Sequence, residues 1–327
     1  MPHANLREAA FRGDSKALRA RAAEISKSEP DRQSAVDSLE ITAFLVDGDF
    51  QAAEAKIETL KFKYNDEIFN NYLASTINLS KVHLEFSKGN FNSLIEIAET
   101  EILRFKNGKS TLDSADLLQI YRILAQRHYI LNDFDSLDQT LKSAEQLKAT
   151  GSHDEIFYLL NTIRALLASA TGDHRKAMDI AKLSVSLAAQ NGYVGVTSPL
   201  DAKYVISVSL NAMAQNDQAR TAASELIEEA SKSNIWPWVF FAGGILIRSA
   251  AIMNNFSDAL ELARKQREKI ASFNFKNELA FIPDMNELFI RYLLKDVERV
   301  EILLDRLPDL VLVRQIRAVK AEWDGRD

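Results

Sequence analysis

Between Ile156 and Leu167 the apolar residues stand at 156, 157, 159, 160, 163, 166 and 167. Gaps of three and four separate them, so they share one broad face of an α-helix and predict a helix that buries that face. The stretch IWPWVFFAGGILIRSAA, from Ile235 to Ala251, departs from this pattern because it is apolar nearly all round. A membrane span needs roughly 20 mostly apolar residues. Here Lys232 and Arg248 bound a shorter uncharged run that holds a proline and a Gly-Gly pair. The run therefore predicts a helix packed on both sides in a protein interior.

A short turn signature recurs between such helices. It is clearest in DGDFQAAEA (anchor Gly48), KGNFNSLIE (Gly89), LNDFDSLDQ (Asn132) and MNNFSDALE (Asn254). Weaker copies are RGDSKALRA (Gly13), TGDHRKAMD (Gly172), QNDQARTAA (Asn216) and LKDVERVEI (Lys295). The anchors are separated by 35, 41, 43, 40, 44, 38 and 41 residues. Gly or Asn at the anchor suits the left-handed residue that ends one helix, and the Asp or Asn after it suits the cap of the next. An aromatic two positions after the anchor predicts a side chain tucked under the turn. The small residue five positions after it predicts a close helix–helix approach.

Helix starts are also legible between the anchors. Ser152-His-Asp-Glu155 reads as a capping box, Ser198 as a cap before Pro199, and Ser233 or Asn234 as the opening of the helix that holds Pro237. Each step then contains one helical hairpin. Such hairpins bury their apolar faces only by stacking on one another. The predicted fold is an all-α, right-handed superhelical solenoid of about eight hairpins. Residues 1–327 form a single unit, with a partial hairpin at 1–32 and a capping helix and tail at 309–327.

The turn followed by alanine, as in Gly48-Asp49-Phe50 with Ala53 and Asn254-Asn255-Phe256 with Ala259, resembles the tetratricopeptide (TPR) repeat. That family's usual period is about 34 residues. The longer period here is similar to the TPR-like sensor regions of large LuxR-type bacterial regulators of the maltose-activator kind, and to the peptide-pheromone receptors of Gram-positive bacteria. Both resemblances imply an effector-binding solenoid, with binding on the concave surface lined by the first helix of each hairpin. In those regulators an ATP-binding module precedes the solenoid and a DNA-binding module follows it. Neither a GxxxxGK[ST] loop nor a helix-turn-helix region is present in this sequence. The expectation is therefore either an excised sensor segment or a complete small protein.

Composition narrows the classes further. The chain has 327 residues, 46% of them apolar, with a net charge of −6, 11 glycines and 6 prolines. So few turn formers argue against an all-β or α/β protein of this length. No basic stripe of the kind that holds a phosphate backbone appears, so no direct nucleic-acid binding is expected. The sequence has no cysteine, and its N-terminus MPHANLREAAFRGD lacks the apolar core of a signal peptide. A cytoplasmic, non-membrane protein is expected. The five histidines show no metal-ligand spacing. His153-Asp154-Glu155 reads as an acidic helix start and not as a metal site. No cofactor, no metal and no catalysis are expected.

The concave positions implied by the resemblance are Thr76 and His83; Gln119, Arg122 and Gln126; Thr162; Lys203; Phe241 and Arg248; and Tyr292. Apolar Leu79, Leu159, Leu166, Ile206, Leu210, Met285 and Phe289, together with Gly244, complete that lining. Arg122 or Arg248 would grip a carboxylate or phosphate in bidentate fashion. Set against this, Arg248 has the alternative of reaching solvent or a neighbouring carboxylate, and Arg122 and Gln126 that of an ordinary solvated helix face. Trp236 and Trp238, flanking Pro237, read as core or as a rigid pocket edge. The loop from Gln190 to Asp201 is the connection richest in glycine and resembles no phosphate-binding fingerprint. The expected function is a peptide- or ligand-binding sensor of a transcriptional regulator, switching between curvatures or between monomer and oligomer. The alternative is a protein-interaction scaffold with no small effector.

Overall fold

In a computed structural model, the chain is described for residues 9–10, 12–29, 32–63, 71–147, 153–193, 198–272, 279–307, 313–314 and 316–319. Among these, fifteen α-helices follow one another and no strand occurs. Helix α1 (Ser15–Ser28) follows the first turn. Seven hairpins come after it: α2 (Gln33–Val46) with α3 (Phe50–Lys63), α4 (Asn71–Lys88) with α5 (Phe91–Lys106), and α6 (Ser114–Ile130) with α7 (Phe134–Glu145). Then come α8 (His153–Ala170) with α9 (His174–Asn191), and α10 (Leu200–Ala212) with α11 (Asn216–Lys232). The last two are α12 (Trp236–Ile252) with α13 (Phe256–Ser272), and α14 (Phe281–Leu293) with α15 (Val297–Arg306).

Local chemistry explains the turns. A left-handed residue stands at Gly13, Gly48, Gly89, Asn132, Gly172, Asn254 and Lys295, as the anchors require. The next residue caps the following helix at Asp14, Asp49, Asp133, Asp173 and Asp296, each carboxylate accepting from a backbone N–H three positions on. The sixth turn corrects the sequence reading. Its left-handed residue is Ala214, with φ of 60°, and not Asn216, which is the first residue of α11. Counting from Ala214 restores the rule that the fifth residue on is buried. Leu18, Ala53, Leu94, Leu137, Ala177, Ala219, Ala259 and Val300 are all essentially inaccessible. The aromatic position holds less uniformly: Phe50 and Phe91 are buried, whereas Val297 is exposed.

Three expected caps are also corrected or fall elsewhere. Ser233 and Asn234 end α11 and do not open α12, because Asn234 is itself left-handed and Ile235 stands at the cap position. Ser198 makes no cap; its hydroxyl donates to Glu229. Ser152 lies outside the described residues.

First helices pack side by side as an inner layer, with second helices outside them. The apolar run is α12, packed between α10 and α14 with α11 and α13 behind it. Its Gly243 and Gly244 permit close approach by α13 and α14. A Cβ on Gly243 would come within 2.9 Å of the Gln266 amide, and one on Gly244 within 3.1 Å of Asn286. Gln266 donates to the Phe240 carbonyl at 2.7 Å and accepts from Asn286 at 2.9 Å.

The stack also meets itself. The side chain of Arg12 lies against Gly192, the Asn234 amide donates to the Gly48 carbonyl at 3.0 Å, and Leu279 covers Gly89. In each case a turn touches the exit of the hairpin four further along. One superhelical circuit therefore closes in about four hairpins, and α4 packs against α12 across the axis. A continuous apolar core runs from Ile41 to Ile282 as a result. At the end of the stack Val313 and Ile316 pack on α14 and α15.

Candidate functional site

Closure of the circuit turns the expected concave face into an interior. Arg122 and Gln126 are 4% exposed, which overturns their reading as a solvated helix face. The Arg122 guanidinium makes a bidentate pair with Asp201, Nε to Oδ2 at 2.7 Å and Nη2 to Oδ1 at 2.8 Å, and Nη2 also donates to the Ser198 carbonyl. Gln126 donates to Asp201 Oδ2 at 2.5 Å. The guanidinium also lies over the Tyr158 ring, 5.1 Å from its centroid. Burial works against the charge on Arg122, but Asp201 more than compensates and holds its pKa above the ordinary arginine value. Asp201, which the sequence presents as an ordinary first-turn acid, is the residue that arranges this end of α10.

His83, one hairpin earlier, lies 3.3 Å from Gln119 by its Nε2 and Oε1 atoms. Burial, and then the nearby positive charge of Arg122, push its pKa down to about 4 against the opposing effect of the Gln119 contact. It is neutral at pH 7. Aromatic rings cross the axis beside these polar groups. Phe86 of α4 meets Trp238 of α12 at 6.0 Å, Trp238 meets Tyr204 of α10 at 5.1 Å, and Tyr204 meets both Tyr129 and Phe241 at 6.1 Å. Trp238 is thus at once core and pocket wall, whereas Trp236 stacks on Phe240 and carries Lys269 over its ring.

A small pocket, open to solvent at its mouth, remains between these groups. Helix α4 contributes His83, Phe86 and Ser87, and α6 contributes Gln119, Arg122, Ile123 and Gln126. The opposite wall is Ser198 and Leu200 at the head of α10, with Ile235 and Trp238 at the head of α12. Four of the sequence-predicted residues, His83, Gln119, Arg122 and Gln126, therefore meet at one place. The rest do not join them. Thr162 is fully buried with its hydroxyl donating to the Tyr158 carbonyl, and Phe241 is packed against Tyr204. Lys203 pairs with Glu229, which also accepts from Ser198.

Arg248 is half-buried, interacts with the Tyr204 phenol and reaches Asn286 Oδ1 at 3.4 Å. These two partners, Asn286 and Tyr204, are polar and uncharged, and are not the carboxylate considered from sequence. Thr76 and Tyr292 are half-buried on α4 and α14, away from the pocket. Residues 194–197 of the glycine-containing loop lie outside the described residues. Sequence reasoning missed Asp201, Phe86, Tyr158 and Tyr204. Phe86 lies three positions after His83 on the same helix, and that helical spacing was its available signal.

Among the described residues no group of three or more histidines and carboxylates is placed to hold a metal, and no helix is long and apolar enough to cross a membrane. No protein-family model matches the chain, and no curated protein matches it in sequence. The structure is similar to a Rap protein solved in complex with Competence and Sporulation Factor. That likeness has a TM-score of 0.63 at 12% identity and covers 97% of this chain and 89% of the Rap chain. It establishes a shared TPR-like, all-helical repeat fold.

Proposed function

We propose that this chain is a non-catalytic recognition module that binds a peptide or protein segment at its axial pocket. The single observation behind this reading is polar capacity left over where donors and an acceptor converge on one pocket. Nη1 of Arg122, Nε2 of Gln119 and Oε1 of Gln126 have no protein partner among the described residues, yet none of the three atoms is sealed off. Polar groups in such a setting are nearly always paired, with protein, with ordered water or with a group that displaces it. An apolar wall with a few convergent polar groups is the usual make-up of a ligand site. The Rap likeness supports the same reading, since that protein was solved with a bound factor. The setting we favour is the effector-sensing part of a bacterial LuxR-type regulator, acting in the cytoplasm without a cofactor and without contacting nucleic acid itself.

A second reading, a protein-interaction scaffold, is favoured by a different observation. Ile252, Met253, Leu293, Leu294 and Val297 are exposed at the turns of the last two hairpins. Thermal-shift screening of the whole chain against short peptides and metabolites separates the two. A specific ligand at a hundredfold its Kd stabilises by about 2.7 kcal/mol, and Gln119→Ala should abolish that gain, read against the variant's own unliganded melting temperature. A gain that survives Gln119→Ala would remove the pocket from the account.

A further inference from the structure

The sequence suggests that Arg122 grips a carboxylate. The geometry points to a different ligand group: we propose that the pocket recognises the uncharged carboxamide of a glutamine- or asparagine-type side chain and rejects the matching carboxylate. The inference rests on the recognition reading above and names the chemistry that the site selects.

Three features carry it. First, the positive charge of Arg122 is already neutralised by its bidentate pair with Asp201, so an entering anion finds no uncompensated cation. Taking a second carboxylate out of water there would cost desolvation with no net charge to offset it. Second, the atoms left over are of both kinds. Arg122 Nη1 and Gln119 Nε2 are donors, fit for a carbonyl oxygen, whereas Gln126 Oε1 is an acceptor, fit for an N–H. A carboxamide offers one acceptor and one donor group and matches this set. A carboxylate offers only acceptors and would leave Gln126 Oε1 facing a negative oxygen.

Third, the donor and acceptor groups are held in place. Gln126 is fixed by its own amide nitrogen on the Asp201 carboxylate, so its oxygen stays the free atom, and Gln119 is held beside it against His83. Apolar Phe86, Leu200 and Trp238 line the same pocket and would take the aliphatic stem. Sites built to pair a specific donor or acceptor reject analogues that lack it far more strongly than apolar pockets distinguish size.

The test uses the whole chain and two isosteric probes, N-acetyl-glutamine methylamide and N-acetyl-glutamate methylamide, titrated by calorimetry at pH 7. Side-chain amide resonances of Gln119 and Gln126 are followed by NMR. The glutamine probe should bind about tenfold or more tightly, the size of one lost hydrogen bond to a charged group, and should shift both amide resonances. Asp201→Asn, which leaves the guanidinium uncompensated, should reverse the preference towards the glutamate probe. Should that variant not fold, Gln119→Met supplies the second arm and should weaken the glutamine probe by about tenfold.

Equal or tighter binding of the glutamate probe to the unmodified chain would overturn the inference. So would a longer peptide that stabilises the chain while neither probe touches the two glutamine resonances, a result that would leave the recognition reading standing. Absence of binding by probes and peptides alike would remove both.

Discussion

At the fourth turn Asn132 ends one helix in the left-handed region, Asp133 caps the next, and Leu137 is buried beneath them. The caps and left-handed positions there act within six residues of sequence. At the axis, by contrast, Arg122 reaches Asp201, Phe86 reaches Trp238 and Asn234 reaches the backbone of Gly48, all across several hairpins. The turns repeat eight times and each supplies a small, replaceable increment of stability. The axial contacts occur once each, and removing one partner leaves the other buried without compensation. The repeats thus produce a solenoid, and the axis decides how tightly it coils and whether a pocket remains.

The comparison is broken most severely at the axial ion pair. Arg122→Ala should cost about 3–5 kcal/mol, because it strands the fully buried Asp201. Replacing both members by apolar residues of similar volume should restore most of that loss. Urea unfolding of the single and double variants measures the difference, and a single-variant loss below about 1 kcal/mol, typical of an exposed pair, would show the pair to be solvated.

His83 gives the next effect. Its folded pKa of about 4 lies below the ordinary value of 6.5. As pH falls the unfolded chain therefore takes up the proton first. Stability that is fully present above pH 6.5 declines between 6.5 and about 4, and no further from this group below that. The loss should reach up to about 3 kcal/mol, and His83→Gln should flatten that part of the stability–pH curve.

Changes at the turns should be smaller and local. Asp133→Ala removes one cap and should cost about 1 kcal/mol without altering the axial contacts. Ala214→Gly should stabilise the chain by roughly 0.5–1 kcal/mol, since a residue with a Cβ now occupies a left-handed position. A neutral or destabilising result there would place the sixth turn elsewhere.

The same contrast decides what could be read from the chain. The turns are legible because glycine, asparagine and aspartate are chosen for local backbone reasons; six anchors are Gly or Asn, and Lys295 is carried by the Asp296 cap that follows it. The sixth was displaced because alanine is an unlikely left-handed residue, although Ala219 five positions on kept its place in the pattern. At the pocket, the helical register implied by the TPR resemblance pointed to His83, Gln119, Arg122 and Gln126, since their positions along α4 and α6 are set by the repeat. Asp201 could not be found the same way. Nothing local distinguishes it from any acidic residue in a first helical turn, and its pairing with Arg122 depends on the curvature of four hairpins together. For the same reason the concave face was expected to be open, and Thr162 and Phe241 to be accessible.

The absence of cysteine makes the closed circuit directly measurable. Gln51→Cys and Lys232→Cys place one label beside the Gly48 turn and one beside Asn234, both at exposed positions. Pulsed electron–electron resonance between spin labels at these sites should give a single short, narrow distance, as turn-to-turn contact four hairpins apart requires. A long or broad distribution would mean an open solenoid, and with it an axial pocket that does not exist in solution.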